Sequence, residues 1–363
     1  MRFNACFLPK ALPAVLALVL AAGAGPAGAD GQEPLPLAEI AALIRTQSLY
    51  GGSAGDLHGM REAAEHGGID GLRGFLTELD RYSSYTTAEE MERMRSAASL
   101  KPAGVGMDIF EDRQKNVRCV PYPGSPAETA GIAYGDILES VDGLPANDLT
   151  LRDLAGLIRG EDGAEIEFTL RRENGGEPRS VIMKRSAADY PSVLQTRVNP
   201  PVIRIFRFGP ATAKELRRCL EYLPEETGCV IDLRGNTGGS MEAGADCARF
   251  FLKKGETVLR LAGRKGETKL TAEKDGAWSD IPVVLVQDRF TASAAEIFIA
   301  ALTATGRVQS RGEQSAGKAR VQNLFTLKDK SILKLTTEKI MFPHSDDDWE
   351  GSGIPPSADR SAQ

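Results

Sequence analysis

The sequence predicts an α/β protein whose core is a mixed, mostly parallel sheet with helices on both faces, preceded by an N-terminal helical segment and a small β-rich domain. Three observations predict this fold class. In residues 188–356, apolar runs such as Val230–Leu233 and Val283–Val286 alternate with helical stretches, and this alternation favours a parallel sheet. Residues 30–98 have helical periodicity. Residues 101–187 contain short strands and helices separated by glycine-rich turns.

The composition is that of a globular protein of two or three domains. Of the 363 residues, 42% are hydrophobic and 26% are charged. The formal net charge of −6 argues against a nucleic-acid partner, because a nucleic-acid-binding protein presents a basic surface. We divide the chain into residues 1–29, 30–98, 101–187, 188–356 and a short tail, 357–363.

Residues 1–29 have the order of a secretory signal peptide. Arg2 and Lys10 supply positive charge, Ala11–Ala22 is an apolar run, and Ala27–Ala29 offers small residues at a cleavage position. The apolar run is too short to span a bilayer comfortably, so an uncleaved anchor is the weaker alternative. We therefore expect an exported protein, in the periplasm or another extracytoplasmic space.

The N-terminal helical region and the cysteines leave alternatives open. One apolar helical face is formed by Leu72, Phe75, Leu76 and Leu79, and Thr86 or Thr87 can cap the next helix. A dimerisation arm and a spacer both fit this region, so a homo-oligomer stays open. The four cysteines after the signal peptide allow three pairings, and buried free thiols are an equal alternative: Cys119, Cys219, Cys229 and Cys247.

Residues 101–187 resemble a PDZ domain. The resemblance lies in the order of a strand at Met107–Phe110, a turn and short helix at Gly124–Ile132, a strand and tight turn at Gly135–Gly143, and a helix at Leu151–Ile158. In PDZ domains, an extended peptide adds as a strand beside a loop that binds its terminal carboxylate through backbone N–H groups. The resemblance implies that this loop consists of Gly104, Val105, Gly106 and Met107. The alternative is that these glycines only permit a turn.

Residues 188–356 contain the remaining predicted elements. Strands are predicted at Val202–Ile205, Val230–Leu233, Val258–Leu261 and Val283–Val286, helices at 212–223, 241–252 and 293–302, and a hairpin at Val321–Leu327 and Ile332–Thr336. The hairpin strands flank a polar turn, Lys328–Lys330.

Ser293 and Lys318 are the candidate nucleophile and base. A serine hydroxyl needs a base to take its proton, and a lysine amine can do so only when it is neutral. Because the ordinary lysine pKa is about 10.4, the site has to lower it by burial, and Ala316, Gly317 and Ala319 bring neither a carboxylate nor bulk. A lone serine is more often a helix cap, and a lone lysine is more often solvated.

Histidine-dependent catalysis is disfavoured. The chain contains only His58, His66 and His344, and a Ser-His-Asp arrangement would have to use His344, which lies in an acidic loop. The Gly235–Gly239 turn imitates the nucleophile turn of trypsin-like proteases, but a threonine takes the serine position. We reject that interpretation, because no histidine and aspartate precede the turn at suitable distances and the strands around it alternate with helices. Backbone N–H groups of such a turn can instead stabilise an oxyanion, although a tight turn without a catalytic part is the alternative.

Four segments together resemble the C-terminal processing peptidases, also called tail-specific proteases, a Ser/Lys family with an embedded PDZ domain. These segments are Leu79–Tyr85, Asp232–Gly239, Thr291–Ile297 and Gly317–Gln322. Thr291 and Ala295 replace serines that are frequent in the family, and neither has an assigned role. The resemblance implies a serine endopeptidase that binds protein C-terminal tails and uses no metal or organic cofactor.

The resemblance also implies the site residues. Ser293 would be the nucleophile, Lys318 the general base, and the Gln322 amide would hold the lysine amine. The N–H groups of Gly239 and Ala294 would form the oxyanion hole, with Gly238 as a substitute for Gly239. An adaptor protein stays open as a further partner, and the alternative class is a catalytically silent PDZ scaffold that recruits peptides.

Overall fold

The computed structural model describes residues 35–99, 103–112, 114–224 and 227–357. The predicted signal peptide, 1–29, and residues 358–363 of the tail lie outside the described residues. Within the described part, none of the helices combines the length and the apolar character needed to cross a membrane.

The predicted N-terminal helices are present. They are α1 Leu37–Gln47, α2 Ala54–Leu79 and α3 Ala88–Ser99, with a short strand, β1 Ser84–Thr86, between α2 and α3. Thr87 caps α3: its Oγ1 accepts from the Glu90 amide at 3.1 Å, and its own amide donates to Glu90 Oε2 at 2.8 Å. The apolar face of α2 buries Leu72 and Leu76.

The predicted PDZ segment forms its own sheet and core. Its elements are β2 Met107–Glu111, β3 Val117–Pro121, α4 Pro126–Thr129, β4 Ile137–Val141, β5 Leu144–Pro145, α5 Leu151–Ile158, β6 Glu165–Arg171 and β7 Arg179–Lys184. The sheet order is β2-β3-β4-β6-β7, with β5 paired to β4, so β2 is an edge strand. Leu154 of α5 and Phe168 of β6 are fully buried in this core.

The rest of the described chain forms two further sheets. Its elements are β8 Val193–Val198, β9 Pro201–Ile205, α6 Thr212–Glu221, β10 Cys229–Asp232, α7 Met241–Ala248, β11 Thr257–Gly263, β12 Gly266–Thr271, β13 Val283–Gln287, α8 Ala294–Thr303, β14 Gln309–Gly312, β15 Arg320–Thr326 and β16 Ile332–Met341. One sheet has the order β14-β13-β10-β9-β8 and is parallel except for the β8–β9 hairpin. The α/β prediction is confirmed.

The expectation of a mostly parallel core holds for that sheet and is wrong for the other. The second sheet, β1-β16-β11-β12 with β15 on β16, is antiparallel throughout. The cause is the connections, since β11–β12 and β15–β16 are hairpins and a tight turn reverses the strand direction. Helix α8 packs against β14 of one sheet and β11 of the other, which explains why every residue from Ala294 to Leu302 is buried.

Candidate active site

Ser293 occupies a strained turn between β13 and α8. Its φ of 56° and ψ of −119° lie outside the regions that L-residues normally adopt, and it is the N-cap of α8. The surrounding turn holds this conformation: the Ala292 amide donates to the Asn236 carbonyl at 2.9 Å, and the Ser293 amide donates to Glu296 Oε2 at 2.8 Å. A sharp strand-to-helix turn of this kind exposes a nucleophile at the start of a helix.

The glycine turn after β10 packs directly against this serine. A Cβ on Gly238 would lie 2.7 Å from Ser293 Cβ and 2.9 Å from the Ala294 nitrogen, and Gly238 has a φ of 105°, so only glycine fits. The Gly238 amide donates to Asn236 Oδ1 at 2.9 Å and is therefore not free to bind an oxyanion. The amides of Gly239 and Ala294 have no acceptor among the described residues. Of the three predicted oxyanion donors, Gly239 and Ala294 are thus available and Gly238 is not.

Glu296 joins the serine turn to the lysine loop. This carboxylate is fully buried; its Oε2 accepts from the amides of Ser293 at 2.8 Å and Lys318 at 2.9 Å. Its Oε1 accepts from Ser315 Oγ at 2.6 Å and from the Gly317 amide at 2.7 Å. Burial raises the pKa of Glu296, and the four donors oppose that shift. Because one oxygen accepts from both amides, the backbones of Ser293 and Lys318 lie side by side.

Sequence reasoning missed this role of Glu296. A Ser-x-x-Glu spacing at a helix start is a signal for the reciprocal bond to the Ser293 amide. Nothing in the local pattern indicates the bonds to residues 315–318, because they depend on where the later loop passes.

The surroundings of the Lys318 amine favour its neutral form. The side chain is half-buried, and in the described ranges Nζ has neither a hydrogen bond nor an ion pair; it lies 5.7 Å from the centroid of the Tyr82 ring. Burial lowers the pKa of Lys318, and the nearby Arg81 adds to that effect. The charges of Glu350 and Glu296 oppose it. A partly buried lysine that has no carboxylate bonded to its amine suits a general base.

Gln322 is not joined to Lys318 in this structure. Its Nε2 donates to the Arg320 carbonyl at 3.0 Å, and no hydrogen bond to Lys318 is present in the described part of the chain. The pairing of β15 with β16 shifts register between Val321 and Gln322, which re-aims the side chain at this position. The predicted role of Gln322 stays a prediction.

In the predicted carboxylate-binding loop, residues 104–107, some of the backbone N–H groups already have acceptors within the protein. Gly104 pairs with Ser186, donating from its amide at 3.1 Å and accepting at its carbonyl at 2.7 Å, so its N–H is unavailable to a peptide. This pairing joins the first and the last residues of the PDZ segment. The amides of Val105 and Gly106 have no acceptor within the described residues, and Met107 packs on the PDZ core at the start of β2.

Two further observations concern the cysteines and the residue types that bind metals. The four cysteines of the described chain are free thiols, so none of the three pairings is formed. In residues 35–99, 103–112, 114–224 and 227–357, no three His, Cys, Asp or Glu side chains converge in a way that could bind a metal ion.

Comparisons with known proteins follow the same division. The family model described as "Peptidase family S41" matches residues 201–359, and a PDZ domain model matches residues 117–172. The chain is 32% identical over 296 residues to the carboxy-terminal processing protease CtpA of Bacillus subtilis, covering 79% of this chain and 63% of that protein. It is 30% identical over 273 residues to a carboxyl-terminal-processing protease of Picosynechococcus, covering 73% and 66%. It thus spans less than two thirds of either relative.

A solved structure agrees on the fold. The photosystem II D1 C-terminal processing protease superposes with a TM-score of 0.76 at 24% identity, over 88% of this chain and 91% of that one. The likeness therefore extends from the N-terminal helices through both sheets. Residues 201–359 of the chain thus match peptidase family S41 and residues 117–172 match a PDZ domain, which confirms the resemblance of the chain to the C-terminal processing peptidases.

Proposed function

We propose that this protein is an exported serine endopeptidase that binds protein C-terminal tails in its PDZ groove and cleaves peptide bonds through an acyl-enzyme on Ser293. The observation that supports it most is the shared bond of the Ser293 and Lys318 amides to Glu296 Oε2. These two bonds hold the Ser293 turn and the Lys318 loop next to each other. The Lys318 Nζ has no hydrogen-bond acceptor among the described residues that would stabilise its protonated form.

These positions support the following chemistry, for which Lys318 Nζ has to reach the Ser293 hydroxyl, since the two atoms share no hydrogen bond among the described residues. Neutral Lys318 takes the proton of the Ser293 hydroxyl as its oxygen attacks the carbonyl carbon of the scissile bond. The oxyanion that forms accepts hydrogen bonds from the amides of Gly239 and Ala294. The lysine ammonium then gives its proton to the departing amine as the peptide C–N bond breaks, which leaves Lys318 neutral. In the second half, Lys318 takes a proton from a water molecule that attacks the acyl carbon, the bond between that carbon and Ser293 Oγ breaks, and the lysine returns the proton to Oγ. In the reactive state, Gln322 would hold the amine after its amide leaves the Arg320 carbonyl.

Tail binding by the PDZ domain has separate support. Strand β2 is an edge strand of its sheet, so an extended peptide can add to it by main-chain hydrogen bonds. The amides of Val105 and Gly106, at the start of this edge, are the candidates for the terminal carboxylate. Export rests on residues 1–29 alone, and cell fractionation of the full chain tests it.

A fluorophosphonate probe tests the catalytic proposal. We expect labelling of Ser293 in the presence of a tail peptide, and loss of labelling and of peptide cleavage in Ser293→Ala and Lys318→Ala. Ser53→Ala is the matched control, because Ser53 also caps a helix but lies at the start of α2. Peptide binding with no labelling under either condition would contradict the proposal and favour the silent scaffold.

A further inference from the structure

Three mutually bonded side chains lie beside the amine of Lys318; we call Arg81, Tyr82 and Glu350 the lysine collar. The Tyr82 hydroxyl donates to Glu350 Oε1 at 2.8 Å, and Arg81 Nη2 donates to the same oxygen at 2.7 Å. The Arg81 guanidinium lies 4.7 Å from the centroid of the Tyr82 ring, and Lys318 Nζ lies 5.7 Å from it. The Tyr82 ring thus lies next to both basic side chains.

The collar is bonded to the lysine loop through the main chain. Glu350 Oε2 accepts from the amide of Ala319 at 2.8 Å, and the Gly351 amide donates to the Gly317 carbonyl at 2.9 Å. Both neighbours of Lys318 are therefore attached to residues 350–351. The Glu350 carboxylate cannot leave the vicinity of the amine without breaking these bonds.

A carboxylate in this position opposes the chemistry of a neutral base. A nearby negative charge favours the ammonium form of a lysine, and Glu350 and Glu296 both act in this direction on Lys318. Glu296 faces the lysine from α8 and accepts four hydrogen bonds, while Tyr82 stays a neutral phenol because burial raises its pKa. Arg81 forms the ion pair with Glu350, while Arg320, which pairs with Asp348 at 3.0 Å, is a second positive charge close enough to act on the same carboxylate.

We propose that Arg81 is a positioning residue for the base: by pairing with Glu350 it offsets the carboxylate beside Lys318, so that the amine is uncharged at lower pH, while the Tyr82 ring keeps water from one side of it. This inference rests on the proposed function, since it explains how the base is prepared. The side chain of Arg81 is 62% exposed, so solvent screens its charge and the effect is modest.

The test compares Arg81→Met with Arg81→Lys, Glu350→Gln and the double variant Arg81→Met/Glu350→Gln. Two readouts are used: the pH profile of kcat/KM for a tail peptide, and the pH dependence of Lys318 acetylation, followed by mass spectrometry in a Ser293→Ala background. Arg81→Met should move both midpoints to higher pH and reduce kcat/KM at pH 7 by about three- to tenfold, with recovery at alkaline pH. Arg81→Lys should retain the parent midpoint.

The remaining variants separate charge from structure. Glu350→Gln should move the acetylation midpoint to lower pH, and the double variant should reverse the upward shift of Arg81→Met. Arg171→Met is the matched control, because it breaks an ion pair of 2.6 Å with Glu139 in the PDZ domain. An acetylation midpoint unmoved by Arg81→Met, or not reversed in the double variant, overturns this inference. A shifted midpoint in a chain that cleaves nothing would reject the proposed function alone.

Discussion

The Tyr134 hydroxyl donates a hydrogen bond to Asp288 Oδ2, across the boundary between the PDZ domain and the protease core. Asp288 follows β13, and its Oδ1 accepts from the Thr291 amide at 3.0 Å, within the turn that leads to Ser293. Phe290 packs edge-on against the Tyr134 ring, with centroids 5.6 Å apart. The PDZ domain therefore contacts the turn before Ser293 directly. A movement of the PDZ domain would strain or break these contacts and so change the position of this turn.

Tyr134→Phe should measure this contact. The change removes one donor to a buried carboxylate and keeps the ring, so we expect the free energy of unfolding to fall by about 1–3 kcal/mol. Urea denaturation of the parent and the variant gives the difference. Tyr222→Phe is the control, because that ring is 73% exposed. Equal stability of Tyr134→Phe and the parent would mean that the bond does not form in solution.

Ser293→Gly should separate catalysis from backbone strain. Glycine adopts a φ of 56° without the steric cost that serine bears, so Ser293→Gly should be more stable than Ser293→Ala by about 1 kcal/mol, measured by thermal or urea unfolding. Both variants should lack peptide cleavage. At Ser53, a helix cap whose φ is −65°, the same pair of substitutions measures the ordinary preference for glycine over alanine at an N-cap, and the advantage of glycine at Ser293 should exceed it. If the alanine variant is as stable as the glycine variant, the backbone at residue 293 is not strained.

Glu296→Gln should loosen the serine turn and the lysine loop together. A glutamine offers one acceptor oxygen and turns an NH₂ group toward two of the four donors, so two hydrogen bonds to a buried group are lost. We expect the free energy of unfolding to fall by about 2–4 kcal/mol and cleavage to fall at least tenfold. Glu242→Gln, at an exposed position in the first turn of α7, is the control. A stable variant with full cleavage would contradict the assigned role.

Lys318→Met should stabilise the protein in a pH-dependent way. Burial lowers the pKa of Lys318 in the folded state, so the unfolded chain binds more protons there between the lowered pKa and the ordinary one, and below that interval the charged lysine disfavours folding. The gain from methionine should be largest below the lowered pKa and should vanish as the pH approaches the ordinary lysine value of about 10.4. Urea midpoints at several pH values measure it, with the exposed Lys274→Met as control. A pH-independent gain would contradict the lowered pKa.

Local patterns predicted many elements because these patterns depend on near neighbours. The amphipathic run at 151–158 became α5, and the apolar run at 202–205 lies within β9. Strand β12 escaped prediction because its residues are polar and mostly exposed, so no apolar alternation marks it. Strand β1 escaped because three residues carry too little pattern, and it exists through its pairing with β16.

The sequence by itself determined the fold class, the PDZ segment and the two motifs that contain Ser293 and Lys318, because each is written in consecutive residues. Only the tertiary structure decided that Glu296 bonds to both motifs, that the Gln322 amide turns to Arg320, and that Glu350 meets Tyr82. The physical reason is that hydrogen bonds between residues far apart in the chain depend on the path of the loops between them, and that path follows from packing around buried α8.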